Sequence, residues 1–205
     1  MVPKRFSTLG AAGALAGILL VSACSQPGTT VPGAFLSPSG NMASPAPEKP
    51  SSPSTPDKDA AVNAMDRQFV TKASQANLEE VALGILGQQK AQSASVKAFA
   101  QRMETDHTKA EQELMTAAKE AGLTPPMELP PDAKATMQRL SKLSGMEFDR
   151  EYMKVMVMGH KKAVRLFTME TEKGRHPALT GYAQKSLPTL QDHLTSAMAI
   201  LAQLK

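Results

Sequence analysis

Between positions 60 and 205, apolar residues return every three to four positions along four long stretches, and proline or glycine breaks separate those stretches. That period belongs to amphipathic helices, and no alternating strand pattern competes with it. Ala, Leu, Met, Gln, Lys and Glu fill the intervening positions, and all favour helix. The first helix is expected over 61–90, with Val62, Met65, Phe69, Ala73, Ala76, Glu80 and Leu83 on its inner stripe. The second begins after Ser93 and stops at Gly122, with Val96, Ala100, Met103, His107, Ala110, Leu114 and Ala118 inward. Pro125, Pro126, Pro130 and Pro131 then forbid helix, and a short one is expected over 132–143.

A third long helix over 146–173 turns Asp149, Met153, Met156, His160, Ala163, Phe167 and Glu170 inward, and Gly174 stops it. Pro177 suits the first turn of the last helix, whose stripe is Leu179, Ala183, Ser186, Leu190, His193, Ala197, Leu201 and Leu204. Pro188 lies inside that helix and should kink it. The fold class is all-α: a four-helix bundle about 40 Å long with a short extra helix between the second and third long ones. The connection over 123–145 is either a short link or a crossover along the bundle, and the pattern does not choose.

Three of the four stripes carry an imidazole where an apolar side chain belongs, at His107, His160 and His193, and the remaining one carries Glu80. Counted from the nearest turn at about 1.5 Å per residue, all four lie near mid-height. One carboxylate and three imidazoles at one level form a credible shell for a single transition-metal ion such as Zn, Cu or Fe. The competing reading is a buried polar layer without metal that fixes helix register. Asp149 shares a face with His160 but lies about 16 Å along the helix, too far to bind the same ion, so it is assigned to the first turn of its helix. Asp106 projects sideways from His107. The methionines Met153, Met156 and Met158 are read as core filler rather than as copper ligands.

The first segment has a basic start at Lys4 and Arg5, an apolar run from Leu9 to Ala23, and then Val21-Ser22-Ala23-Cys24. This is the pattern of a secretory signal with a lipobox, which makes 1–23 a signal peptide and Cys24 the lipidated residue. Stable anchoring takes more than one acyl chain, and a processed bacterial lipoprotein carries three. Residues 24–59 hold eight of the 15 prolines among Ser, Gly and Thr, a composition that builds no core and serves as a linker. The folded part is therefore 60–205. Ser25 after the lipidated residue points to the outer membrane, facing the periplasm. The net charge of +4 falls to +2 once Lys4 and Arg5 leave, and aromatics are scarce, which argues against nucleic acid.

Three motifs then carry a family likeness: Phe99-Ala100-x-x-Met103-x-x-Asp106-His107-Thr108, Phe148-Asp149-Arg150-x-Tyr152 followed by His160, and Leu187-Pro188-x-Leu190-x-x-His193-Leu194. Together they resemble the bacterial domain of unknown function 4142 family, assigned to the ferritin-like superfamily, over 66–204. The resemblance implies a ferritin-like bundle in an envelope protein and supplies no reaction. Ferritin-like di-iron proteins use Glu-x-x-His on two helices. Here Glu104-x-x-His107 satisfies one such motif, which makes Glu104 a secondary ligand candidate, while Leu190 and His160 stand where further carboxylates are wanted. Three functions follow as expectations: an envelope lipoprotein binding one metal ion or a protein partner, a metal-dependent periplasmic oxidoreductase, or a structural domain with a polar layer. No nucleophile elbow, phosphate loop or dinucleotide fingerprint is present, so an enzyme would depend on the metal.

Overall fold

The computed structural model describes residues 61–204, so the signal peptide, Cys24 and the proline-rich linker lie outside the described residues. Five helices follow in order: α1 (Ala64–Lys90), α2 (Ala94–Glu120), α3 (Pro131–Ser141), α4 (Gly145–Lys173) and α5 (Pro177–Gln203). Local chemistry sets their ends. Asn63 and Asp66 form a reciprocal capping box at the start of α1. Gly122, at φ 66°, ends α2 in a Schellman turn in which Leu123 N–H donates to Ala118 O and Gly122 N–H to Lys119 O. Helix α5 runs through Pro188 as a single element.

Two buried aspartates reveal the connectivity. Asp149, near the start of α4, accepts from the backbone N–H groups of Gln92 (3.0 Å) and Ser93 (2.7 Å) in the α1–α2 turn. Asp66, near the start of α1, accepts from Arg175 N–H (2.9 Å) and His176 N–H (3.2 Å) in the α4–α5 turn. Helix α4 thus begins at the end where α2 also begins, and the two run parallel. The segment between them must travel the length of the bundle. It does so along α1 and α4: Ser74 donates to Pro126 O (2.8 Å), and α3 packs against both helices. This is the single-crossover layout that ferritin-like bundles use.

Asp149 is therefore not a first-turn dipole residue. It lies in the second turn of α4 and closes a turn 56 residues away in sequence. Asp149→Ala would leave two backbone donors without an acceptor at the start of α2. A loss of about 1–3 kcal/mol is expected, read as a lower urea midpoint.

The apolar core is divided. One cluster, with Leu83, Met103, Phe148 and Tyr152, fills the end near the α1–α2 turn, and another, with Phe69, Leu114, Phe167 and Leu179, fills the opposite end. Within the second, Phe69 and Phe167 meet edge to face at 4.9 Å. Glu80, Asn77 and the three histidines lie between the two clusters. Helices α1 and α2 approach closely because Gly84 faces the α2 backbone: a Cβ there would stand 2.7 Å from Glu104 N and 2.8 Å from Ala100 O.

Glu170 lies fully buried near Asp66. Burial draws the Asp66 pKa upward, but the backbone donors of Asn63, Arg175 and His176 outweigh it and hold the group below its ordinary value. Burial pushes Glu170 up to about 8, and the nearby Asp66 adds to that shift. The folded chain thus keeps a proton on Glu170 that the unfolded chain releases near 4.5. Because the native state binds more protons between those two values, stability falls as pH rises through that window, by up to about 1.4 kcal/mol per pH unit for this group. Glu170→Gln should flatten the profile. A melting temperature that declines equally in both proteins from about pH 5 to about pH 8 would place the proton elsewhere.

Candidate metal centre

His107 on α2, His160 on α4 and His193 on α5 meet at mid-bundle with relative exposures of 4%, 1% and 1%. One ring nitrogen from each lies within 4.8 Å of the others. His160 Nε2 and His193 Nδ1 stand 3.3 Å apart. With metal–nitrogen bonds of about 2.0–2.1 Å, the edge of a tetrahedron is about 3.3–3.4 Å, so this pair already has the spacing of two zinc ligands.

The outer partners fix which nitrogens carry hydrogen. Asn77 Nδ2 donates to Glu111 Oε2 (3.0 Å), which turns Asn77 Oδ1 toward His107 Nδ1 at 2.9 Å. An oxygen acceptor there requires His107 Nδ1–H as the donor and leaves Nε2 bare. His107 Nε2 is buried and has no hydrogen-bond partner. His160 Nδ1 lies 2.9 Å from Met156 O, which only accepts, so this nitrogen bears the hydrogen and Nε2 is bare. His193 Nε2 lies 2.8 Å from Asp106 Oδ2, so it donates there and its Nδ1 is bare. Each imidazole thus turns a lone pair inward while its other nitrogen is anchored, an arrangement typical of metal-ligating histidines.

Burial keeps the imidazoles neutral. It holds His107 well below its ordinary pKa, with mutual repulsion among the three rings adding to the effect. It lowers His160 to about 4 against the opposing Met156 hydrogen bond. His193 is also lowered by burial, although Asp106 pulls it back upward. With both outer nitrogens donating, the tautomers set by Met156 O and Asp106 bring the lone pairs of His160 and His193 face to face.

Neither carboxylate expected as a ligand joins the nitrogens. Glu80 Oε1 lies 3.5 Å from His160 Nδ1, the ring nitrogen opposite the one that faces His193. Burial and the neighbouring charge of Glu79 push Glu80 up to about 8, so it is a neutral carboxyl beside the centre. Glu104 Oε2 accepts from Gln88 Nε2 at 2.5 Å. A helical stripe identified Glu80 as inward but not the ring edge it would meet. The geometry brings His107, His160 and His193 together and leaves Glu80 at the outer edge of His160 and Glu104 bonded to Gln88.

Two residues carry more of the site than their sequence positions suggested. Asp106 does project sideways from His107, and sideways is toward α5, where it holds His193 and is itself held by Arg102 Nε (3.2 Å). Arg102 also reaches Asp192 at 2.7 Å. Asn77 was detectable from its spacing, one helical turn before Glu80 on the same face.

A cleft of about 310 Å³ opens between α2 and α5. His107, His193, Asn77 and Asp106 are among its walls, with Arg102, Lys109, Lys185 and Glu113 toward its rim. The centre is buried but borders space open to solvent.

No curated protein matches the chain. A crystal structure of a DUF305 fragment from Deinococcus radiodurans superposes with a TM-score of 0.61 at 16% identity, covering 69% of this chain and 98% of that one. At that identity the likeness concerns the fold. The family match extends over residues 51–200, which takes in α1 to α4 whole and most of α5, with all three histidines. The chain belongs to the domain of unknown function family DUF4142.

Proposed function

We propose that this bundle is a metal-binding module of the bacterial envelope, holding one Zn²⁺-like divalent ion through His107, His160 and His193. One observation carries the reading: three buried imidazole lone pairs face one another, and each outer nitrogen is fixed by an acceptor. A metal-free polar layer would need a donor between His160 Nε2 and His193 Nδ1, whereas Met156 O and Asp106 favour tautomers that put both hydrogens on the outer nitrogens. Three imidazoles, one pair of them already at tetrahedral spacing, favour Zn²⁺, with Cu and Fe as the other ions such nitrogens accept.

In this proposal the lipid on Cys24 tethers the module, with the proline-rich linker between membrane and bundle and the outer membrane as its site. The lipobox sequence supports that placement. None of the described helices is long and apolar enough to cross a membrane.

Protein purified without tag or chelator should contain about one equivalent of metal per chain by elemental analysis. Negligible metal, together with a melting temperature indifferent to added Zn, Cu and Fe, would favour the polar layer. Separately, Cys24→Ser should move the protein from the membrane fraction to the soluble one, and retention of the variant would refute the lipid tether.

A further inference from the structure

We infer that the fourth coordination position of this centre takes a small anion from solvent, admitted through the cleft between α2 and α5. The inference rests on the metal reading and asks what completes the shell.

Three neutral imidazoles leave a divalent ion with its full charge in a buried site, and uncompensated buried charge is costly. Among the described residues the nearby carboxyl groups are committed elsewhere. Glu80 lies at the outer nitrogen of His160, Asp106 is shared between His193 and Arg102, and Glu104 is bonded to Gln88. Asp106 supplies negative charge only through His193, and no carboxylate among the described residues is placed to bind the ion directly, so a directly bound anion would come from outside the chain.

The cleft offers a route. Its walls include His107 and His193, and its volume of about 310 Å³ exceeds the ~30 Å³ share of a single water many times over. Its charged lining is already paired, Arg102 with Asp106 and Asp192, and Lys109 and Lys185 with Glu113, so the bound ion rather than the lining would draw the anion in. The apolar walls at Ala110, Phe167 and Leu190 suit a compact ligand without a large hydration shell.

The test uses the full-length chain loaded with Co²⁺, whose visible spectrum reports coordination, and titrated with azide. Wild type should show a saturable spectral change with one azide per cobalt. Thr189→Trp, in the cleft wall one helical turn before His193, leaves all three ligands in place and should take up cobalt normally and bind azide about tenfold more weakly or worse, because the indole obstructs entry. A cobalt spectrum that ignores azide would overturn the inference while leaving the metal reading intact. A response that appears only in Glu80→Gln would overturn it too, since Glu80 would then occupy the fourth position. Unchanged azide affinity in Thr189→Trp would refute the route. Failure of the wild-type chain to bind cobalt at all would remove the metal reading, and this inference with it.

Discussion

His107→Ala protein is expected to retain its fold, lose stoichiometric metal binding, and show none of the thermal stabilisation that zinc gives the wild type. A ligand at about one hundred times its dissociation constant stabilises the state it binds by about 2.7 kcal/mol. For a domain of this size that is a rise of about 5–10 °C in melting temperature, which the variant should lack. A sharper test spares all three ligands. Asn77 Oδ1 is the acceptor that places the His107 hydrogen on Nδ1. Asn77→Leu should weaken zinc binding by about 10–100-fold, the usual consequence of losing an outer-shell partner. Asn77→Asp keeps an acceptor at that position and should preserve binding. Calorimetric titration of the two variants separates a tautomer effect from simple loss of packing. Equal zinc affinity in Asn77→Leu and wild type would sink the tautomer argument.

Gly84→Ala should lower stability, although the same change in a helix interior ordinarily raises it by about 1 kcal/mol. The added methyl would meet Glu104 N at 2.7 Å and Ala100 O at 2.8 Å, and both atoms belong to the α2 backbone. They move only if the helices separate, and overpacking of this kind costs about 1–3 kcal/mol. Gly181 in α5 provides the control, since nothing lies within 4 Å of its would-be Cβ. Gly181→Ala should raise the urea midpoint while Gly84→Ala lowers it, and Gly84→Val should lower it further. Movement of both alanine variants in the same direction would show that close approach of α1 and α2 is not what Gly84 serves. Separation of α1 from α2 would also draw Asn77 away from His107, so zinc affinity should fall together with stability.

The helices were legible because burial of a stripe imposes its period on the sequence. The first long helix, expected over 61–90, occupies Ala64–Lys90, and the third, expected over 146–173, occupies Gly145–Lys173. The connection between α2 and α4 was not legible. Asp149 and Asp66 settle it through contacts with turns 57 and 110 residues away, and such distances leave no local pattern. The site was partly legible for the same reason. Periodicity shows that a side chain points inward, as it did for Glu80 and the three histidines. It cannot show which atom of a neighbouring ring that side chain will meet. Glu80 meets the outer edge of His160, and Asp106 reaches His193 because α5 lies on its side of α2.

The three inward-facing nitrogens also come from α2, α4 and α5, with His193 contributed by the last of the described helices. His160 and His193 are 33 residues apart, so no short peptide segment gathers the donor set. A nascent or unfolded chain therefore offers metals only scattered single imidazoles. On the proposed reading the donor set is complete only once α5 has docked, and the compartment in which that docking takes place would decide which ions compete for it.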